Sequence, residues 1–217
     1  MVNKEIILVK GTWKDKLLYP FYVLKHPLDG FYEIRHRGKG SVIVALLLLL
    51  LFSISFSMNR QFAGFVVNNI NPRSIDSFME LISLTLLFFL FCTANWSITC
   101  LMEGEGRFKD IITVTGYSML PMVLTYVPIT LISRFIAEKE EAFYYLAMNI
   151  STIYFIILLL LGIMTIHNFS LGKTLFTLVL TILAMFMIIF MALLVYSLAD
   201  QVIGFFKSIY TELIFRT

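Results

Sequence analysis

Apolar residues run along this chain in five long blocks separated by short polar stretches. The blocks cover Ser41 to Met58, then about Phe78 to Met102, Ile111 to Ser133, Phe143 to His167, and Thr174 to Ala199. A bilayer crossing takes roughly 20 apolar residues as helix, so each block is long enough to cross once. The breaks consist of helix-stopping or charged residues. Asn68, Asn69, Asn71 and Pro72 follow the first block, and Glu103-Gly104-Glu105-Gly106-Arg107-Phe108-Lys109-Asp110 follows the second. The acid-rich stretch Arg134 to Ala142 follows the third, and Asn168 to Lys173 the fourth. The pattern predicts an all-α, polytopic membrane protein with five transmembrane helices.

The flanking segments are patterned differently. In residues 1–40, Trp13, Leu17, Leu18, Phe21, Tyr22, Leu24, Phe31, Tyr32 and Ile34 alternate with lysines, arginines and histidines, and Pro20 and Pro27 divide the segment. Aromatic and basic residues together suit the headgroup level of a bilayer. In residues 200–217, Val202, Phe206, Ile209 and Leu213 recur at helical spacing among polar residues, which reads as an interfacial helix extending the fifth span, with docking on a partner subunit as the alternative. The chain therefore divides into a basic amphipathic tail (1–40), a membrane domain (41–199) and an amphipathic tail helix (200–217). Trp13, Phe31, Tyr32, Arg35 and Arg37 in the first tail are expected to touch the membrane surface or a partner subunit. Val202, Phe206, Ile209 and Leu213 carry the same expectation in the second.

Composition narrows the class further. Of 217 residues, 59% are hydrophobic and 14% charged, whereas a soluble domain carries about 25% charged residues. Both an ordinary soluble globule and a disordered chain are excluded. Eight of the seventeen Lys and Arg precede Ser41. His26, Arg35, His36, Arg37 and Lys39 abut the first apolar block instead of forming a separate basic domain, so the expected partner is the lipid bilayer and not nucleic acid. With the N terminus inside, the cytoplasmic segments hold eleven Lys and Arg and the other side six. The positive-inside rule then gives a cell-membrane protein with a cytoplasmic N terminus and an extracytoplasmic C terminus. The first forty residues lack the order of a cleavable signal peptide, so the first span is expected to persist. Phe215-Arg216-Thr217 is no prenylation signal.

No Asp, Glu, Lys or Arg falls in the middle of any block. Ion-coupled carriers keep such a group in the membrane because it binds or moves the charge, which argues against an autonomous transporter. Glu80 comes closest, near an outer span end where water is expected to reach it. Cys92 and Cys100 lie eight residues apart in the second block, with no partner at metal spacing, and are expected to be packed thiols. Thr115-Gly116-Tyr117-Ser118 lacks the second glycine of a nucleophile elbow, and no histidine is placed to activate Ser118. His26, His36 and His167 each lack a second ligand at i+3 or i+4 and read as interfacial. Glu138, Glu140 and Glu141 read as a solvated face. The Glu103 to Asp110 loop alternates glutamates with glycines, unlike a phosphate cradle. The Asn-x-Ser sequons at Asn95, Asn149 and Asn168 lie in spans or on the cytoplasmic side. No catalytic, cofactor or metal site is expected.

What remains is a constellation around the second hairpin. Asn95 and Trp96 precede its loop, and Gly116-Tyr117-Ser118-Met119-Leu120-Pro121 follows it. At about 1.5 Å per residue, Asn95 and Tyr117 lie at similar depth, roughly 10 to 12 Å from the loop, and are expected to meet across the hairpin. Pro121 cannot donate to the carbonyl of Tyr117, nor Pro128 to that of Leu124, so the third span should be kinked. Packing through a small residue with interhelical hydrogen bonds is the favoured role, ahead of a ligand site.

Gly116-Tyr117-Ser118 followed by Pro121, in the third of five spans, resembles the Gly-Tyr-Ser-x-x-Pro motif of the Yip family, the Ypt-interacting proteins. Asn95-Trp96, the Gly-rich loop and the run from Pro27-Leu28-Asp29-Gly30-Phe31-Tyr32 through Arg35 to Gly40 resemble prokaryotic members, and the similarity covers residues 20–200. The Asp-Leu-Tyr-Gly-Pro element of eukaryotic members is missing. The resemblance implies a non-enzymatic five-span protein with a cytoplasmic N terminus that works through other proteins. Eukaryotic members act in vesicle formation, and prokaryotic members resemble accessory proteins encoded beside ABC transporters. The expectation is an accessory or scaffold subunit of an ABC-type transport complex, with integral membrane subunits such as ABC transporter permeases as partners. A small transporter or channel is the alternative, and an intramembrane enzyme comes third.

Overall fold

The computed structural model describes residues 13–68, 71 and 74–215, and its regular structure there is entirely helical. Asn69 and Pro72 of the first break, Arg216, Thr217 and the side chain of Leu213 lie outside the described residues. The helices are α1 (Trp13–Lys25), α2 (Pro27–Arg37), α3 (Val42–Phe62), α4 (Ser77–Leu101), α5 (Phe108–Ser118), α6 (Leu120–Ile132), α7 (Glu141–His167) and α8 (Leu171–Phe215), with a 3-10 turn at Glu138–Glu140. Among the described residues, five segments are long and apolar enough to cross a membrane: α3, α4, α5 with α6, α7, and α8.

Local chemistry sets several of the helix ends. α2 stops at Gly38, which adopts φ 62° and returns its amide to the Glu33 carbonyl, a left-handed turn that glycine enters without a Cβ penalty. The Asp76 carboxylate opens α4 by accepting from the amides of Phe78 and Met79 at 3.0 and 3.3 Å. Asn168 closes α7 at φ 54°. The third span is broken at Met119, between α5 and α6, two residues before Pro121. Its missing N–H makes a continuous hydrogen-bond ladder impossible there. Pro128 sits inside α6 and faces outward.

The broken third span is the centre of the bundle. Of its apolar window 72% is buried, against 17% for α4 and 6% for α8, and every residue from Asp110 to Ser118 is buried. α3 and α7 each pack along both of its halves, while α4 and α8 lie to one side. Close approach depends on missing side chains. A Cβ on Gly116 would stand 2.6 Å from Ala45 Cβ and 2.7 Å from its carbonyl oxygen. A Cβ on Gly162 would collide with Val114. A second set of contacts ties the far ends together. Asn59 donates to Thr130 at 2.8 Å and accepts from the Tyr144 hydroxyl at 2.9 Å, all three buried.

The first flank departs from expectation. The basic tail is not a surface strip: α1 and α2 form a helical hairpin packed on α5, α6 and α7. The second tail extends the fifth span, because α8 continues without a break from Leu171 to Phe215 through Asp200 and Gln201. Of the two cysteines, Cys92 is buried and Cys100 exposed, so only the first is a packed thiol. Glu80 is mostly shielded, its side chain 14% exposed and paired with Arg60 at 2.5 Å.

Candidate functional site

Buried polar residues gather near the end of the bundle where α3 begins. At their centre is the Gly-Tyr-Ser segment of α5. The Tyr117 ring is 1% exposed, and its hydroxyl accepts from the Ser41 amide at 3.0 Å, the N-terminal residue flanking α3. That amide opens a helix and has no partner within it, so the tyrosine satisfies a donor that the bilayer cannot. Ser118 is fully buried and donates to the Val114 carbonyl at 2.8 Å. Its proton is thereby committed to its own helix. Pro121 is buried just beyond the break.

Asn95 and Tyr117 do not pair, although they lie at similar depth. Asn95 faces α8 and donates to Thr181 at 3.1 Å. Thr174, Thr177 and Thr181, at i, i+3 and i+7 on α8, are all 0% exposed, and each hydroxyl donates back to a carbonyl three or four residues earlier. Thr99 is buried one turn from Asn95 on α4 and donates to its carbonyl at 2.7 Å. Asn95 therefore belongs to a polar seam between α4 and α8. Trp96, on the next face, is 42% exposed and sets its ring edge against Phe108 at 5.8 Å.

The loop after α4 closes over His167. This histidine is 1% exposed, not interfacial. Its Nδ1 accepts from the Gly106 amide at 3.1 Å. Phe169 stacks on its ring at 5.4 Å between centroids, and Lys173 lies 4.2 Å over Phe169. Gly104 and Gly106 are the lid: a Cβ on either would stand 2.5 Å from an imidazole atom. The glycines of this loop thus seat a histidine 61 residues away, a purpose that the local sequence does not carry.

Charged groups fasten the helical hairpin to the same loop. Asp110, its side chain 5% exposed, accepts from Arg107 Nε at 2.9 Å and lies 3.5 Å from Arg35 Nη1. Arg107 also reaches the Arg35 carbonyl at 3.4 Å. Within the hairpin, Glu33 pairs with Arg37 and Lys39, each at 2.9 Å, and accepts from the Tyr19 hydroxyl at 3.2 Å. Burial works to raise the Glu33 pKa, but the hydrogen bond and charge of Lys39, with Tyr19 and Arg37, outweigh it and hold the carboxyl below its ordinary value. The Tyr19 hydroxyl is pushed up by its burial and by the charge of Glu33.

The residues expected at a surface divide. Trp13 and Tyr32 are exposed, as are Val202, Phe206 and Ile209; Tyr32 stacks on His36 at 4.1 Å. Arg37 is exposed though paired. Phe31 is 0% exposed, in the space left by Gly162, so it is a core residue and not a contact for partners. Arg35 is spent on Asp110, its side chain 20% exposed. Among the described residues no three His, Cys, Asp or Glu side chains converge as a metal site. What gathers here is a lock: hydroxyls, amides and small residues that fix helix positions.

The architecture defines the class, a five-span helical membrane protein built around a broken, buried third span. A family model, the Yip1 domain, matches residues 21–194, and the chain belongs to that family. An uncharacterized protein of the archaeon Methanocaldococcus jannaschii is 25% identical over 125 residues, covering 52% of this chain and 89% of the relative. No solved structure matches the chain.

Proposed function

We propose that the protein is a non-catalytic accessory subunit of a membrane transport complex, and that α8 is the arm by which it holds its partners. The observation carrying this reading is the reach of α8. Its first turns are locked to α4 by the threonine seam, but from Ile182 to Phe215 it carries no buried residue among the described side chains. The helix has 45 residues, about 67 Å at 1.5 Å per residue, against a hydrocarbon core of about 30 Å. Its far part stands clear of the bundle with Val202, Phe205, Phe206, Ile209 and Tyr210 exposed. An apolar helix of that kind is stabilised by packing against another surface. The resemblance to prokaryotic Yip proteins supports permease subunits of an ABC-type transporter as that surface. The basic residues before Ser41 support a cytoplasmic N terminus in the cell membrane, with the end of α8 outside.

The test is purification of the full chain from its native membranes in a mild detergent, beside a variant lacking residues 202–217. Larger membrane subunits should accompany the full chain and be reduced at least several-fold with the variant. The protein alone in liposomes should move no solute. Gradient-driven uptake by the isolated chain would establish the transporter alternative, and solitary purification of both forms would remove the partner.

A further inference from the structure

The α1–α2 hairpin dips into the bundle and turns back. Its two helices run antiparallel: Tyr19 on α1 donates to the Gly30 carbonyl of α2 at 2.9 Å, and a Cβ on Gly30 would stand 2.9 Å from Val23. The tip is Lys25-His26-Pro27, between the two helices. Depth can be read along α7. Phe31 packs at Gly162, near the His167 end. Seven residues earlier, the Leu24 carbonyl accepts from the Tyr154 hydroxyl at 2.5 Å. Tyr154 is the middle residue of α7, 13 residues from Glu141 and 13 from His167, about 20 Å from either end. A second helix agrees. α1 touches α6, whose first residue lies 12 positions beyond the start of α5, about 18 Å along the span. The hairpin enters from the end where α3 begins, reaches toward the level of mid-α7, and returns without crossing.

Its two faces differ in what they meet. Val23, Phe31 and Ile34 are buried in the core of the bundle. Leu17, Leu18, Phe21 and Leu28 point away from it, between 44% and 63% exposed. Lys25, His26 and Asp29 are also exposed, at or beside the deepest point. A charge in hydrocarbon is costly, about 2.5 to 3.5 kcal/mol for a lysine or aspartate at full depth on insertion scales, and bilayers relieve it by local thinning that lets headgroups and water follow.

From this placement we infer that the α1–α2 hairpin is a re-entrant wedge in one leaflet of the bilayer, covered by acyl chains and drawing lipid phosphates inward to Lys25 and His26. It adds area to the leaflet at the α3 entry face and nothing to the other. Membranes curved so that this leaflet is convex accommodate it best. The inference is independent of what α8 binds.

The experiment places one cysteine at a time, Leu28→Cys or Lys16→Cys, in the full chain with Cys92→Ala and Cys100→Ser. Each is labelled with a small fluorophore and reconstituted into phosphatidylcholine vesicles containing an anionic phospholipid. Lipids brominated along the acyl chain should quench the label at 28 at least twofold more than the label at 16, and aqueous iodide should do the reverse. Small vesicles should take up the protein with the hairpin leaflet outside more often than large ones. Iodide quenching both sites alike, with no acyl quenching at 28, would overturn the wedge. In native membranes, a photoreactive group at 28 that crosslinks to another protein instead of to lipid would overturn lipid as the occupant and put a protein on this face. A Phe21→Glu, Leu28→Glu variant, which leaves the buried face intact, should lose the acyl quenching of a label at 18 and the preference for small vesicles; retention of both would also overturn the inference.

Discussion

Replacing Gly116 by alanine perturbs the bundle where it is tightest. The new methyl would lie 2.6 Å from Ala45 Cβ, 2.7 Å from its carbonyl oxygen and 2.8 Å from its Cα. Two of those three atoms are backbone of α3, so no rotamer change relieves the overlap and the helices must separate. Overpacking of this kind costs about 1–3 kcal/mol, while alanine recovers up to about 1 kcal/mol of helix propensity over glycine. The expected net loss is about 1–2 kcal/mol, read as reversible unfolding of the purified protein in mixed micelles of rising denaturing-detergent fraction. Adding Ala45→Gly removes the Cβ overlap and leaves the carbonyl and Cα, so it should rescue only part of the loss. Gly172→Ala and Gly204→Ala serve as controls, since a Cβ at either meets nothing within 4 Å, and both should be neutral or slightly stabilising. Gly116→Ala behaving like the controls, or complete rescue by Ala45→Gly, would refute the close-packing argument.

Three further outcomes follow from the buried polar residues and the hairpin. Asn95→Ala and Thr181→Ala should couple by about 0.6 kcal/mol and at most near 1.7 in a double-mutant cycle, whereas Asn95→Ala with Tyr117→Phe should be additive. Gly106→Ala should expose the loop over His167, measured as faster amide hydrogen exchange at residues 103–107, with exchange in α3 unchanged. The lowered pKa of Glu33 means that its share of stability is present above the ordinary carboxylate value and is lost as pH falls through the depressed one. Acid below the ordinary carboxylate range should therefore loosen the hairpin, seen as increased proteolysis between α2 and α3, and Glu33→Gln should flatten that dependence.

The spans were legible because hydropathy acts on runs of residues. The block beginning at Ser41 and the helix Val42–Phe62 agree at their start to one residue, and the break in the third span follows from a proline that cannot donate. Pairing was not legible, because depth along a helix is written in the sequence but the direction a side chain faces is not. Asn95 and Tyr117 share a depth and look to different neighbours, Thr181 and Ser41. Phe31 sits among arginines and histidines like an interfacial aromatic, and only Gly162 reveals that it has a pocket. His167 needed Gly106, and the glycines of that loop, flanked by glutamates, pointed to nothing local. Asp200 and Gln201 end the apolar block without ending the helix, since neither residue breaks a helix as proline would.

The most direct test of the scaffold reading is site-specific photocrosslinking in native membranes, with a photoreactive amino acid at Phe206 or at Thr181 of the full chain. Thr181 lies in the seam and should yield only adducts within the chain, to α4. Phe206 is 64% exposed beyond the bundle and should yield a discrete, larger adduct with a different membrane protein. Adducts at Phe206 to lipid alone would contradict the account.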